Sequence, residues 1–152
     1  MSNTNILERL NDAVQVEHTL AMHCHQYELT VAGLWRLTLA PFFRDLGDEA
    51  RDHARKFGQK LVALGATPTC AVDDVANVEN PAEMIARIVV LERKAMELYK
   101  EALSMVPDED VALRTMLEDQ IEAEQRHIEE LDLVAAPMAA DAPDELAVRR
   151  AS

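Results

Sequence analysis

The chain has two cysteines in 152 residues, Cys24 and Cys70, far apart and with no C-x-x-C pair. That excludes a disulfide scaffold, a zinc ribbon and a rubredoxin-type iron site. Glycine (4), proline (6) and aromatic residues (4%) are scarce, while Ala, Leu and Glu dominate. This is the composition of long helices and predicts an all-α protein. Basic residues are outnumbered, 15 against 28 acidic, for a formal net charge of −13. Phosphate binding needs clustered Lys and Arg, so a nucleic-acid partner is excluded and cations are favoured. The most apolar stretch, residues 30–43, is interrupted by Arg36 and Pro41 and is too short to cross a membrane. No basic segment followed by an apolar run opens the sequence, so a cytoplasmic location is expected.

A chain of this length and apolar content suits one domain with a continuous core. Steps of three and four residues give a first seam through Leu10, Ala13, Glu17, Leu20, Cys24, Tyr27, Val31, Leu34 and Leu37. Pro41 is expected to break it. A second seam follows through Phe43, Leu46, Ala50, His53, Phe57, Leu61 and Leu64, closed by Gly65. Residues 66–79 have no helical stripe and read as a connection. Asn80, Pro81 and Glu83 form a helix start, leading a third seam through Ile85, Ile88, Glu92, Ala95 and Tyr99. A short turn at 106–110 leads to the fourth, through Leu113, Leu117, Ile121, Glu124, His127 and Leu131. Two hairpins joined by a long link predict an antiparallel four-helix bundle over 1–134 with a crossover between helices 2 and 3. Residues 135–152 are expected to be a tail with at most one short helix from Pro143.

Three seam positions are acids. An isolated buried charge costs several kcal/mol or more, so each must be neutralised, paired or bound to a metal. Glu124 and His127 form E-x-x-H, with both side chains on one helix face. Glu17 and His53 are 36 positions apart, and Glu92 and His127 are 35 apart. Each half of the chain thus supplies a seam glutamate and then a seam histidine, a pseudo-symmetric donor set suited to iron, manganese or zinc. His18, His23 and His25 lie off the seam and are read as solvent or subunit-contact residues, and Cys24 as core.

Over residues 8 to about 132 the sequence resembles the ferritin-like proteins, most of all the bacterioferritins. The resemblance rests on L-N at 10–11, H-A at 53–54, L-G-A-T-P in the crossover, L-E at 91–92 and E-x-x-H-I at 124–128. It implies a di-iron carboxylate site with Glu17 and His53 as terminal ligands of one metal and Glu92 and His127 of the other. Glu124 would bridge the two. The second bridging glutamate of the family falls at Ala50, and Glu49 is the nearest replacement, one residue early and rotated by about a hundred degrees. Glu49 reaches the metals if helix 2 turns slightly or carries a π-bulge; otherwise the site is incomplete. The haem-ligating methionine falls at Arg51, so no haem is expected.

The resemblance implies oxidation and storage of iron, two per chain when the site is intact, with O2 or peroxide as electron acceptor and a homo-oligomer as the assembly. Two other readings fit the residues: a degenerate, non-catalytic bundle, and a di-metal oxygenase or peroxidase acting on an organic substrate.

Overall fold

A computed structural model describes residues 3–140, with side chains at 6–138. Four helices follow one another: α1 (Asn3–Thr30), α2 (Arg36–Ala63), α3 (Pro81–Ser104) and α4 (Val111–Ala140). No strand occurs among the described residues. α1 packs against α2 and α3, and α3 against α4. The link between α2 and α3 runs the length of the bundle, so the all-α four-helix bundle with a long crossover is as the seams predict.

The ends of the elements follow local chemistry. Asn80 Oδ1 accepts from the backbone N–H groups of Ala82 (2.8 Å) and Glu83 (3.4 Å), and Pro81 occupies the first helical position of α3. Asp110 Oδ1 accepts from Leu113 N–H at 3.1 Å and caps α4. The break between α1 and α2 differs from expectation. It falls at residues 31–35, where Gly33 takes φ +73°, and Pro41 lies inside α2. Arg36 Nη1 closes the turn by donating to the carbonyls of Leu29 (3.0 Å) and Val31 (2.8 Å) at the end of α1. Pro41 so near the start of α2 removes only the bond to the carbonyl of Leu37. Leu34 and Leu37, expected on the first seam, are 88% and 81% exposed. Periodicity continued past the glycine that ended the helix.

At the other end, α4 continues through Pro137 to Ala140, six residues beyond Val134, because Met138 is buried and Val134 and Ala135 pack on the core. The short helix expected from Pro143 lies outside the described residues.

The crossover is zipped to one stripe of α1 at helical spacing. Asn11 bonds Thr67 O and Thr69 N–H, and Thr19 Oγ1 accepts from Asp73 N–H. Tyr27 OH donates to Ala76 O at 2.9 Å. His23 belongs to this stripe and corrects the reading of it as a surface residue: it is buried, with Nδ1 2.8 Å from Thr19 O and Nε2 accepting from Ala76 N–H. Periodicity alone does not say which outer face the crossover covers. His18 lies under it too, 3.1 Å from Thr69 O, whereas His25 is half exposed.

The core is divided. One apolar cluster holds Leu10, Ala13, Phe57, Tyr99 and Leu117; the other holds Leu20, Cys24, Tyr27, Phe43, Ile88 and Leu131. A polar layer with Glu17, Glu92 and Glu124 separates them.

Candidate metal centre

Every helix contributes to this layer. α1 brings Glu17, α2 His53, α3 Glu92, and α4 both Glu124 and His127. The carboxylates of Glu17 and Glu124 are fully buried and that of Glu92 nearly so. The two imidazoles are the partly exposed members, stacked 5.8 Å apart at 19° between α2 and α4. Donor atoms converge in two groups, Glu17–His53–Glu124 and Glu92–Glu124–His127, each with its atoms within 4.8 Å of one another. Glu124 belongs to both.

His53 Nδ1 lies 3.3 Å from Glu17 Oε1 and 3.3 Å from Glu124 Oε1. Tyr99 OH donates to Glu17 Oε1 at 2.7 Å, and Gln120 Nε2 donates to Glu124 Oε1 at 2.7 Å. His127 Nδ1 stands 3.5 Å from Glu92 Oε1 without making a hydrogen bond. Without a cation these groups must share protons. Burial, and then the charge of Glu124, push the Glu17 carboxyl up to about 8. Burial also pushes Glu92 well up, with Glu124 again adding to it. Glu124 is the acid that stays ionised. Burial opposes its charge, but hydrogen bonds from Glu92 and His53 outweigh that and hold it near 2. Burial likewise disfavours the His53 cation, yet its contacts with Glu124 and Glu17 raise it to about 10. Tyr99, buried beside Glu17, is pushed well above the ordinary phenol value. Burial and mutual contact thus favour an ionised Glu124 beside a cationic His53, and favour the protonated forms of Glu17 and Glu92.

Four buried atoms here have no hydrogen-bond partner: Oε2 of Glu17, Oε2 of Glu92, Oε2 of Glu124 and Nδ1 of His127. Buried polar atoms are normally satisfied, so four orphans turned into one layer are unusual. With the carboxyls deprotonated all can act as acceptors, the kind of atom that a cation recruits. Oxygen and imidazole donors with a shared carboxylate are a donor set that could hold borderline or hard divalent cations such as iron, manganese or zinc.

Five of the six ligands expected from the sequence are brought together. Glu49 is not. Its residue lies in unbroken α-helix with no π-bulge, its side chain is 53% exposed, and its Oε2 contacts His127 Nε2, the imidazole nitrogen turned away from Glu92. A carboxylate that accepts from an imidazole N–H fixes the ring's orientation and raises its basicity. Ala50 is buried in the apolar cluster that holds Leu20 and Phe43, and supplies no donor. Arg51 is exposed and pairs with Asp48 at 2.9 Å. Cys24 is core, its thiol pushed up by burial and by Glu92.

Gln120 is the functional candidate missing from the seam reading. It is 1% exposed, whereas Ile121 is only partly buried. The spacing Leu113–Leu117–Gln120–Glu124 keeps to steps of four, three and four and carried that information; the preference for an apolar residue at each step concealed it.

Among solved structures, the chain is similar to a ferritin-like, diiron-carboxylate protein from Bacillus anthracis str. Ames (28% identity, 89% of this chain and 99% of that one, TM-score 0.83). It shares its fold with a dodecameric thioferritin, the bacterioferritin-related protein of Bacteroides fragilis (18% identity, 92% and 89% covered, TM-score 0.83). The same holds for Rhodobacter capsulatus bacterioferritin, described with a metal-free dinuclear site and haem iron (23% identity, 97% and 94% covered, TM-score 0.79). No curated protein matches by sequence. The family described as "Ferritin-like domain" matches residues 7–137. With its fold and the acid layer inside the bundle, the chain belongs to the ferritin-like family.

Proposed function

We propose that the protein binds two divalent cations at Glu17, His53, Glu92, Glu124 and His127, with Glu124 shared, and that iron is its substrate. The observation that carries this is the set of four orphaned buried acceptors in one layer, costly unless a cation occupies it. Two Fe(II) lose one electron each; a peroxide takes both and, with two protons, leaves as two waters, while O2 under the same uptake leaves as H2O2. The two protons come from solvent; ion entry displaces those that burial favours on Glu17 and Glu92, so metal binding should itself release protons. Glu49 sits where it orients His127. A homo-oligomer fits the exposed Leu34, Leu37 and Leu133, and the Bacteroides fragilis neighbour is dodecameric.

Ala50 favours a second reading, a centre that buffers iron without oxidising it, because a symmetric clamp on two ions normally uses two bridges. Aerobic loading with Fe(II), followed by oxygen consumption, iron content and assembly mass, separates the two. Oxygen uptake with roughly two irons per chain in a large assembly supports oxidation and storage. Bound Fe(II) with no oxygen uptake supports buffering, and no bound iron ends both.

A further inference from the structure

Glu124 is the one carboxylate common to both donor groups, so whatever fixes its orientation fixes both at once. Gln120, one turn earlier on α4, donates from Nε2 to Glu124 Oε1 at 2.7 Å. On its other side, Lys56 Nζ donates to Gln120 Oε1 at 3.3 Å. The orientation of a glutamine amide is set by its partners, and here the chemistry leaves one choice. An ammonium has only donors, so the carbonyl oxygen must face Lys56 and the NH2 must face Glu124. Lys56 is partly buried, its ammonium 5.2 Å from the centre of the Phe57 ring, which holds it against the bundle. A positive charge on the carbonyl side polarises the amide and strengthens the hydrogen bond it donates.

We infer that Gln120, oriented by Lys56, is a positioning residue that holds the shared carboxylate of Glu124 ready for both ions. The bond to Oε1 leaves Glu124 Oε2 as an orphaned acceptor. The device is one-sided. Four residues before Ala50, the counterpart position in the first half of the chain is Leu46, an apolar core residue. The half that lost its bridging acid thus also lacks an amide behind it, and the whole burden of joining the two ions falls on the carboxylate that Gln120 supports. This inference rests on the proposed cation site but makes a separate claim.

The test is titration of the full-length protein with Co(II), read by calorimetry and by the visible d–d spectrum, which reports ligand geometry independently of iron oxidation. The wild type is compared with Gln120→Met, Lys56→Met and the double variant. Gln120→Met preserves volume but removes the donor, and should lower Co(II) affinity about tenfold and alter the spectrum, the usual scale for losing a supporting partner. Lys56→Met should shift both readouts in the same direction by less, and add nothing in the double variant, because it acts through Gln120. Wild-type affinity and spectrum in Gln120→Met, or additive effects of the two changes, would overturn the inference while leaving the site intact. Failure of the wild type itself to bind Co(II) would sink both claims. Far-UV circular dichroism confirms the helical fold of each variant, and Lys56→Met, at a partly buried position outside the core, keeps the test decisive should Gln120→Met unfold.

Discussion

Ala50→Glu restores E-x-x-H on α2 and should have opposite effects with and without metal. Ala50 is 1% exposed and borders a layer already holding three buried acids. Without ions the new carboxyl is either desolvated as a charge or protonated without a full set of partners. The neutral form alone costs about 2 kcal/mol, and the added volume about 1 kcal/mol more. For a domain of this size each kcal/mol corresponds to roughly 2–4 °C, so the ion-free variant should melt about 6–12 °C below the wild type. With Mn(II) or Co(II) in excess, a further oxygen ligand that tightens binding tenfold returns about 1.4 kcal/mol through linkage. The melting-temperature rise on adding metal should therefore be several degrees larger in the variant. Differential scanning calorimetry in chelator and in metal measures both quantities. An unchanged ion-free melting temperature, with a metal-induced shift no larger than that of the wild type, would refute the placement of Ala50 at the centre.

Glu49 contacts His127 from outside the cluster, so Glu49→Leu should lower metal affinity about tenfold whereas Glu49→Gln, which can still accept from the imidazole, should lower it less. Equal and large losses in both, measured by calorimetric titration, would instead make Glu49 a ligand. Ion-free stability should fall as pH rises. Glu17, raised to about 8, favours folding fully below its unfolded value near 4.5 and loses that contribution as pH climbs through about 8. His53, raised to about 10, adds a loss of the same sign above about 6.5. Glu124, held near 2, acts oppositely, its contribution being present above about 4.5 and lost only as pH falls through about 2. Melting temperature in chelator should thus decline from about pH 5.5 to 8, and saturating metal should flatten or reverse the slope because ions replace protons. A chelator profile that rises over this range would contradict the protonation pattern of the layer.

The architecture was legible because the apolar seams, the Asn80–Pro81 start and the long patternless link each have a local cause. Glu17, Glu92 and Glu124 were legible for the opposite reason, as charges where an apolar residue was due. What escaped the sequence depended on packing between distant segments. Only the path of the crossover over α1 shows that His23 is buried rather than exposed, and Gly33 outweighed a periodicity that ran on to Leu37. Glu49 could be placed on roughly the right side of α2, but whether it faces the ions or the back of His127 depends on how α2 and α4 are rotated against each other. Gln120 was hidden because a neutral amide in a seam raises no alarm until its partners, Lys56 and Glu124, are known to be within reach.

The shared role of Glu124 gives the most direct test of the centre, by counting ions per chain. Anaerobic titration with Fe(II) or Co(II), with bound metal counted by native mass spectrometry, should find two ions in the wild type. Glu17→Ala and His127→Ala should each lose chiefly one, and Glu124→Ala should lose both, since that carboxylate alone belongs to both donor groups. Two ions retained in Glu124→Ala, or none in the wild type, would contradict the account.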